Sequence, residues 1–399
     1  MPLTWSKGKR PVFVGAGQTL NRRYSGRSVA SLANEAALMA IADAGLKPKD
    51  IDGLSSWPNP AHQVARNVAG YDRLDVRAMM DFIPLENVRW YNQNEIPPAG
   101  SAGMVISAAL ALGTGACNYA LVFRCGHHPP GLRYQGISAR QAPGNAGFAL
   151  TYGHGVGGAG QAHHFQRYLD KFGAKREEMY TGYIQSANHN AQLNDSAVWK
   201  GRTITLDDYM NARLIAYPMS VFDNDMPVDG VKCVVMTTED RAKGTPHPGG
   251  YFAGMAMNQW QLLKGGIIQP LEAIYEAEAV MAKNLYESGG LHPEDVDLIH
   301  VYDGFSPMVW NHLEIFGFCK IGEAHEWTQG GTIALNGPHP VNTSGGNLGD
   351  GRVHGMTHVY ETAVQMMGTA GPRQLKNLHV AICETGPFGN GSSFLCTKD

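Results

Sequence analysis

Apolar positions recur at helical spacing through Ser31–Asp43, and the run stops at Gly45-Leu46-Lys47-Pro48-Lys49-Asp50-Ile51-Asp52 before a strand. The same grammar returns 245 residues later: Glu272–Ser288 stops at Gly290-Leu291-His292-Pro293-Glu294-Asp295-Val296-Asp297, again before a strand. Each copy predicts a helix, a glycine stop, a proline turn and an apolar strand, the unit of layered α/β folds. A second correspondence strengthens the repeat: the alanine-rich helix Gly103–Gly113 feeds the strand Tyr119–Cys125, and the helix Met356–Met367 feeds Leu378–Cys383. Ser107-Ala108-Ala109-Leu110-Ala111-Leu112 is hydrophobic nearly all round, which suits a helix held between two sheets. A duplicated α/β chain of five layers is the expectation, with halves 1–245 and 246–399. The glycine- and histidine-rich stretch 126–217, including an amphipathic helix near Ala162–Phe172, is expected to form a lid inserted over the site.

Composition narrows the class. With 399 residues, a net charge of −3 and 17% charged residues, the chain offers no basic surface for nucleic acid. The opening Met1–Arg10 carries no apolar signal stretch, and no run of about 18 apolar residues follows, so a soluble cytoplasmic protein is expected. Six cysteines are scattered without a CxxC pair, and His127-His128 and His163-His164 are adjacent pairs that point apart on a helix. Neither pattern makes a metal site. Val12–Gly17 begins like a dinucleotide fingerprint, but Leu20 stands where the third glycine belongs, and Gly153–Gly158 follows no buried strand.

The densest chemistry lies in Asn342–Gly355, where glycines stand among polar groups. Such a loop can turn its main-chain N–H groups on a ligand oxygen just before a helix, or it can simply turn the chain.

These residues, with the repeat, the buried alanine-rich helix and the strand ending at Cys383, resemble the thiolase superfamily over nearly the whole chain. Gly201–Leu206, Val301–Phe305, Gly317-Phe318-Cys319 and Pro340–Gly346 are similar to its lipid-transfer or sterol-carrier type. The resemblance implies a thiolase-like duplicated αβαβα fold. It also exposes losses. Where a thiolase carries its nucleophilic cysteine, this chain reads Glu95–Gly103, with Ser101 but no thiol; Tyr302 replaces one family histidine and Arg352 another, with His354 two residues on, while Cys383 matches the second thiolase cysteine. That pattern is similar to steroid side-chain aldolases, which cleave a β-hydroxyacyl-CoA by retro-aldol reaction without an acyl-enzyme.

The resemblance implies Tyr302 as base or proton shuttle, its phenolate favoured by Arg352, the loop with Asn342, Gly345 and Gly346 as enolate cradle, and Cys383 as donor to the α-carbon. Asp303 is an alternative acid, although an alternating strand would turn it to the opposite face, and His354 fits either catalysis or support. It further implies no cofactor in this chain beyond its CoA thioester substrate, a homodimer built through Tyr119–Cys125, and a small zinc-ribbon and OB-fold partner completing a heterotetramer. Arg133, Lys200 and Arg202 are candidates for the CoA phosphates. Two other functions stay open: a Claisen-type acyltransferase using Cys125, and a non-catalytic subunit of a thiolase-like complex.

Overall fold

The computed structural model describes residues 2–57, 74–93, 100–127, 158–259, 270–386 and 390–398. The first sheet has the order β1 (Pro11–Gln18), β7 (Gly230–Thr238), β4 (Ala120–Gly126), β2 (Gly53–Ser56), β3 (Trp90–Gln93); the second has the order β8 (Tyr251–Gln259), β11 (Asn390–Thr397), β10 (Val380–Glu384), β9 (Leu298–His300). In each, the second strand runs antiparallel to its neighbours and the third pairs in parallel with the fourth. The short hairpin β5 (Leu214–Ala216) and β6 (Met219–Ser220) lies apart from both.

Five layers follow from which faces are apolar. The helix Val29–Asp43 packs on one face of the first sheet, the helices Gly100–Thr114 and Met356–Met367 fill the space between the sheets, and Leu271–Gly289 covers the far face of the second. One buried cluster lies under each outer helix, and a third spans both faces of the central helical layer. Gly15 and Gly17, the false dinucleotide glycines, serve packing: a Cβ on them would lie 2.4 Å from the Ala40 carbonyl oxygen and 2.2 Å from that of Ala36. The repeat extends to single hydrogen bonds. The Lys47 N–H donates to Asp50 Oδ2 at 2.8 Å, and the His292 N–H donates to Asp295 Oδ2 at 2.8 Å, each closing the proline turn after a left-handed glycine.

One expectation changes. Tyr119–Cys125 is not an edge: β4 pairs with β7 on one side and β2 on the other, which buries it. The open edge of that sheet is β3, where Tyr91 is 67% exposed. Within the stretch expected as a lid, residues 128–157 lie outside the described residues; the described remainder buries one face of its helices and leaves Leu206, Leu214 and Tyr217 exposed. In the helix Ala159–Phe172, Phe165 and Tyr168 lie against Trp310, and Gln185–Gln192 supports the glycine loop from beneath.

Candidate active site

In the glycine loop the donors of Asn342, Gly345 and Gly346 are engaged within the protein. Asn342, at φ 48°, turns its carboxamide onto Val301: Oδ1 accepts the Val301 N–H at 3.1 Å, and Nδ2 donates to the Val301 carbonyl at 3.0 Å and to the Tyr183 hydroxyl at 2.8 Å. The Gly345 N–H donates to the Asn342 carbonyl and the Gly346 N–H to Ser344 Oγ. All three residues are buried. The enolate cradle expected of Asn342, Gly345 and Gly346 is therefore corrected, since hydrogen bonds within the protein have taken their donors. The glycines are needed for closeness: a Cβ on Gly346 would lie 2.0 Å from Asp303 Oδ2, and one on Gly345 3.1 Å from the Ala187 carbonyl oxygen.

Asp303 holds the loop in place. It accepts from the Tyr183 hydroxyl at 2.5 Å, from the Asn347 N–H at 2.7 Å and from the Leu348 N–H at 3.3 Å, and its Oδ1 lies 3.0 Å from His358 Nε2. A carboxylate so fully engaged and buried is a structural anchor, which replaces its expected role as acid. The loop's far end is tied by Lys232, which donates to Asp350 Oδ2 at 2.9 Å, and its start by the Thr343 hydroxyl on Glu361, itself paired with Arg373.

Tyr302 points the other way, into a second group of residues. A Cβ on Gly304 would lie 2.6 Å from its ring and one on Gly355 3.4 Å, so two glycines shape its slot. Among the described residues its hydroxyl makes no hydrogen bond. The segment Asn224–Asp229 runs alongside, bridged Asn224 to Phe305, with the Asp225 N–H donating to the Gly304 carbonyl at 3.1 Å. Arg352 Nε lies 3.2 Å from Asp225 Oδ2. Burial raises the Asp225 carboxyl to about 8, against the opposing pull of Arg352. Burial also pushes the Tyr302 phenol above its ordinary value, Asp225 adds to that, and Arg352 only partly offsets them. The expected phenolate is corrected: the group held near neutrality is Asp225, and Tyr302 stays a phenol.

His354, at φ 48°, closes the third side of the group. Its carbonyl accepts from Ser101 Oγ at 2.6 Å, and its ring lies 5.1 Å from that of Trp57. Arg124 Nη2 bonds His354 Nδ1, and Nη1 bonds the Trp57 carbonyl, with the guanidinium 4.1 Å from the indole centroid. Because arginine has only donors, Nδ1 must accept and the imidazole proton sits on Nε2. Among the described residues Arg124 Nε has no partner and no carboxylate pairs with the side chain. Burial draws this guanidinium down to about 9; Cys125 and Tyr302 oppose the fall and Arg352 adds to it.

The two candidate thiols lie in the core. Cys383 is fully buried in β10 opposite Phe394, and burial pushes its thiol well up, which keeps it protonated. Burial raises Cys125 to about 12, far from the thiolate an acyltransferase needs. Lys200 pairs with Asp195 and Arg202 lies over Phe222, while Arg133 lies outside the described residues, as do 94–99 of the segment where a thiolase nucleophile stands. Arg124 and Asp225 escaped the sequence reading. The first had a signal, a cation inside the apolar run Ala120–Cys125; the second was one acid in the polar stretch Asp223-Asn224-Asp225.

Comparison with known proteins agrees with this architecture. Residues 267–394 match the thiolase C-terminal domain-like family. The chain is 30% identical to the steroid side-chain-cleaving aldolase of Thermomonospora curvata, covering 90% of each, and 30% identical to the 17-hydroxy-3-oxo-4-pregnene-20-carboxyl-CoA lyase of Mycobacterium tuberculosis, covering 90% of this chain and 92% of that one. A solved Ltp2-ChsH2(DUF35) aldolase superposes with a TM-score of 0.83 at 26% identity, covering 98% of both chains. An acetyl-CoA acetyltransferase from Syntrophomonas wolfei shares the fold, with a TM-score of 0.69 at 17% identity over 98% of this chain and 99% of that one. With this likeness and the duplicated five-layered fold, the chain belongs to the thiolase superfamily, in the branch that holds the steroid side-chain-cleaving aldolases.

Proposed function

We propose that this chain is a carbon–carbon lyase that cleaves a β-hydroxyacyl-CoA by retro-aldol reaction, releasing a ketone and a shorter acyl-CoA. The observation that carries the reading is a buried acid–base group, Tyr302 beside an Asp225 held near neutrality, with both candidate cysteines kept as thiols by burial. The β-hydroxyl proton passes through the Tyr302 phenol to Asp225. The Cα–Cβ bond breaks, a carbonyl forms at Cβ, and the electron pair moves into the thioester enolate, which takes up at Cα the proton that Tyr302 relays back from Asp225. Arg352 positions Asp225. The steroid side chain is the favoured acyl group, because the 30%-identical relatives are named for steroid substrates. No cofactor is required of this chain.

The superposed aldolase is a complex of two proteins, which supports a partner here. That partner is proposed to be a small zinc-ribbon and OB-fold protein joined to a homodimer of this chain, with the exposed β3 edge as the dimer contact. No helix among the described residues is long and apolar enough to cross a membrane.

The test is to incubate the chain, co-expressed with its partner, with a panel of β-hydroxyacyl-CoAs and to identify the ketone and CoA ester by mass. A thioester found on any cysteine during turnover would overturn the reading.

A further inference from the structure

We infer that Arg124 is the anion-binding group of this site, and that its unpartnered Nε–H faces the oxygen of the substrate thioester as that oxygen becomes an enolate; the inference rests on the retro-aldol reading above. Arg124 is 1% exposed, so water does not satisfy its remaining donor. A buried cation needs a counter-charge, and among the described residues Arg124 has none. The one carboxylate of this group for which an arginine pair is seen, Asp225, lies against Arg352 instead. Asp303, the other nearby carboxylate, is engaged by Tyr183 and by the Asn347 and Leu348 N–H groups, so among the described residues neither acid pairs with Arg124, and the charge it lacks is the charge that an enolate brings.

The surroundings hold Arg124 in place without neutralising it. Its Nη1 is fixed by the Trp57 carbonyl and its Nη2 by His354 Nδ1, both neutral acceptors, and the indole face supports the guanidinium plane. The indole in turn needs Gly100, where a Cβ would lie 1.8 Å from the ring. His354 is held by Ser101 through its carbonyl and by a left-handed backbone. Such a preorganised, desolvated donor is strongest against charge that develops during reaction. With the donors of Asn342, Gly345 and Gly346 engaged, Arg124 supplies what those residues do not.

The probe is acetoacetyl-CoA, a β-dicarbonyl thioester whose enolate absorbs in the near ultraviolet. Bound to the wild-type chain in complex with its partner, it should ionise at lower pH than free in solution. In R124Q that displacement should vanish, and kcat for cleavage should fall by about 10²–10³-fold with little change in KM. R124K, which keeps the charge but loses the planar fork, should retain part of both. Wild-type protein that binds acetoacetyl-CoA without favouring its enolate overturns the inference whatever the variants do, as does a folded R124Q that keeps both the displacement and the turnover. A wild-type chain that displaces the enolate equilibrium but cleaves no β-hydroxyacyl-CoA would sink the proposed reaction and leave the anion site standing.

Discussion

The main-chain N–H of Tyr302 donates to Oε2 of Glu384 at 3.0 Å, so the phenol is anchored through a buried carboxylate. The same oxygen lies 3.3 Å from His312 Nδ1, and His312 Nε2 lies 3.3 Å from Glu278. Burial raises Glu384 to about 7 despite the nearby imidazole. Burial acts to lower His312, yet Glu384 and Glu278 outweigh it and lift the imidazole to about 9. A folded pKa raised above the unfolded value gives stability that is complete below the unfolded pKa and is lost as pH rises through the folded one. Thermal stability should thus fall between pH of about 6.5 and 9. H312Q should flatten that decline, and a variant whose melting temperature follows wild type across the window would refute the assignment.

Asp225 and Tyr302 should separate in a pH profile. Activity needs ionised Asp225 and a charged Arg124, so kcat should rise as pH approaches about 8 and fall again as pH passes through about 9. Asp225→Asn should lower kcat by about 10²–10⁴-fold and abolish the rising limb. Tyr302→Phe should reduce turnover comparably with the fold intact. A wild-type profile that is level from pH 6 to 10 would remove Asp225 from the reaction.

Gly346→Ala should act on stability before chemistry. At φ 67° the new Cβ would meet Asp303 Oδ2 at 2.0 Å, displacing the anchor of the whole loop. A loss of roughly 3 kcal/mol is expected from strain and overpacking. Denaturant unfolding measures it, and an alanine variant as stable as wild type would show that the loop is looser than described.

Cys383→Ala should leave turnover within about threefold of wild type and lower stability by about 1 kcal/mol, as for a small buried side chain. Steady-state kinetics with a melting curve decides between this and a proton-donor role, which predicts the opposite ranking of the two effects.

The layout of the fold was legible because helices and strands bury one face at a fixed period. The repeat at Gly45 and Gly290, the apolar helix Gly100–Thr114 and the helix Met356–Met367 all show that period. The site was legible only in part. Tyr302, Arg352 and His354 do lie in one group, but the glycine loop shows in sequence only as freedom of the backbone, and the same freedom serves either an open donor cradle or a tightly packed strut. Asp303 under Gly346 made it the second.

Periodicity along the chain thus determined the repeated helix, turn and strand units, and the motif residues around Asn342–Gly355 carried the likeness to the thiolase superfamily. Tertiary structure alone decided which polar groups are spent and which remain. Arg124 and Asp225 lie 228 and 127 residues before Arg352, and burial there draws the guanidinium down to about 9 and moves the carboxyl toward neutrality. Desolvation depends on what surrounds a group in space, and no local pattern of residues encodes it.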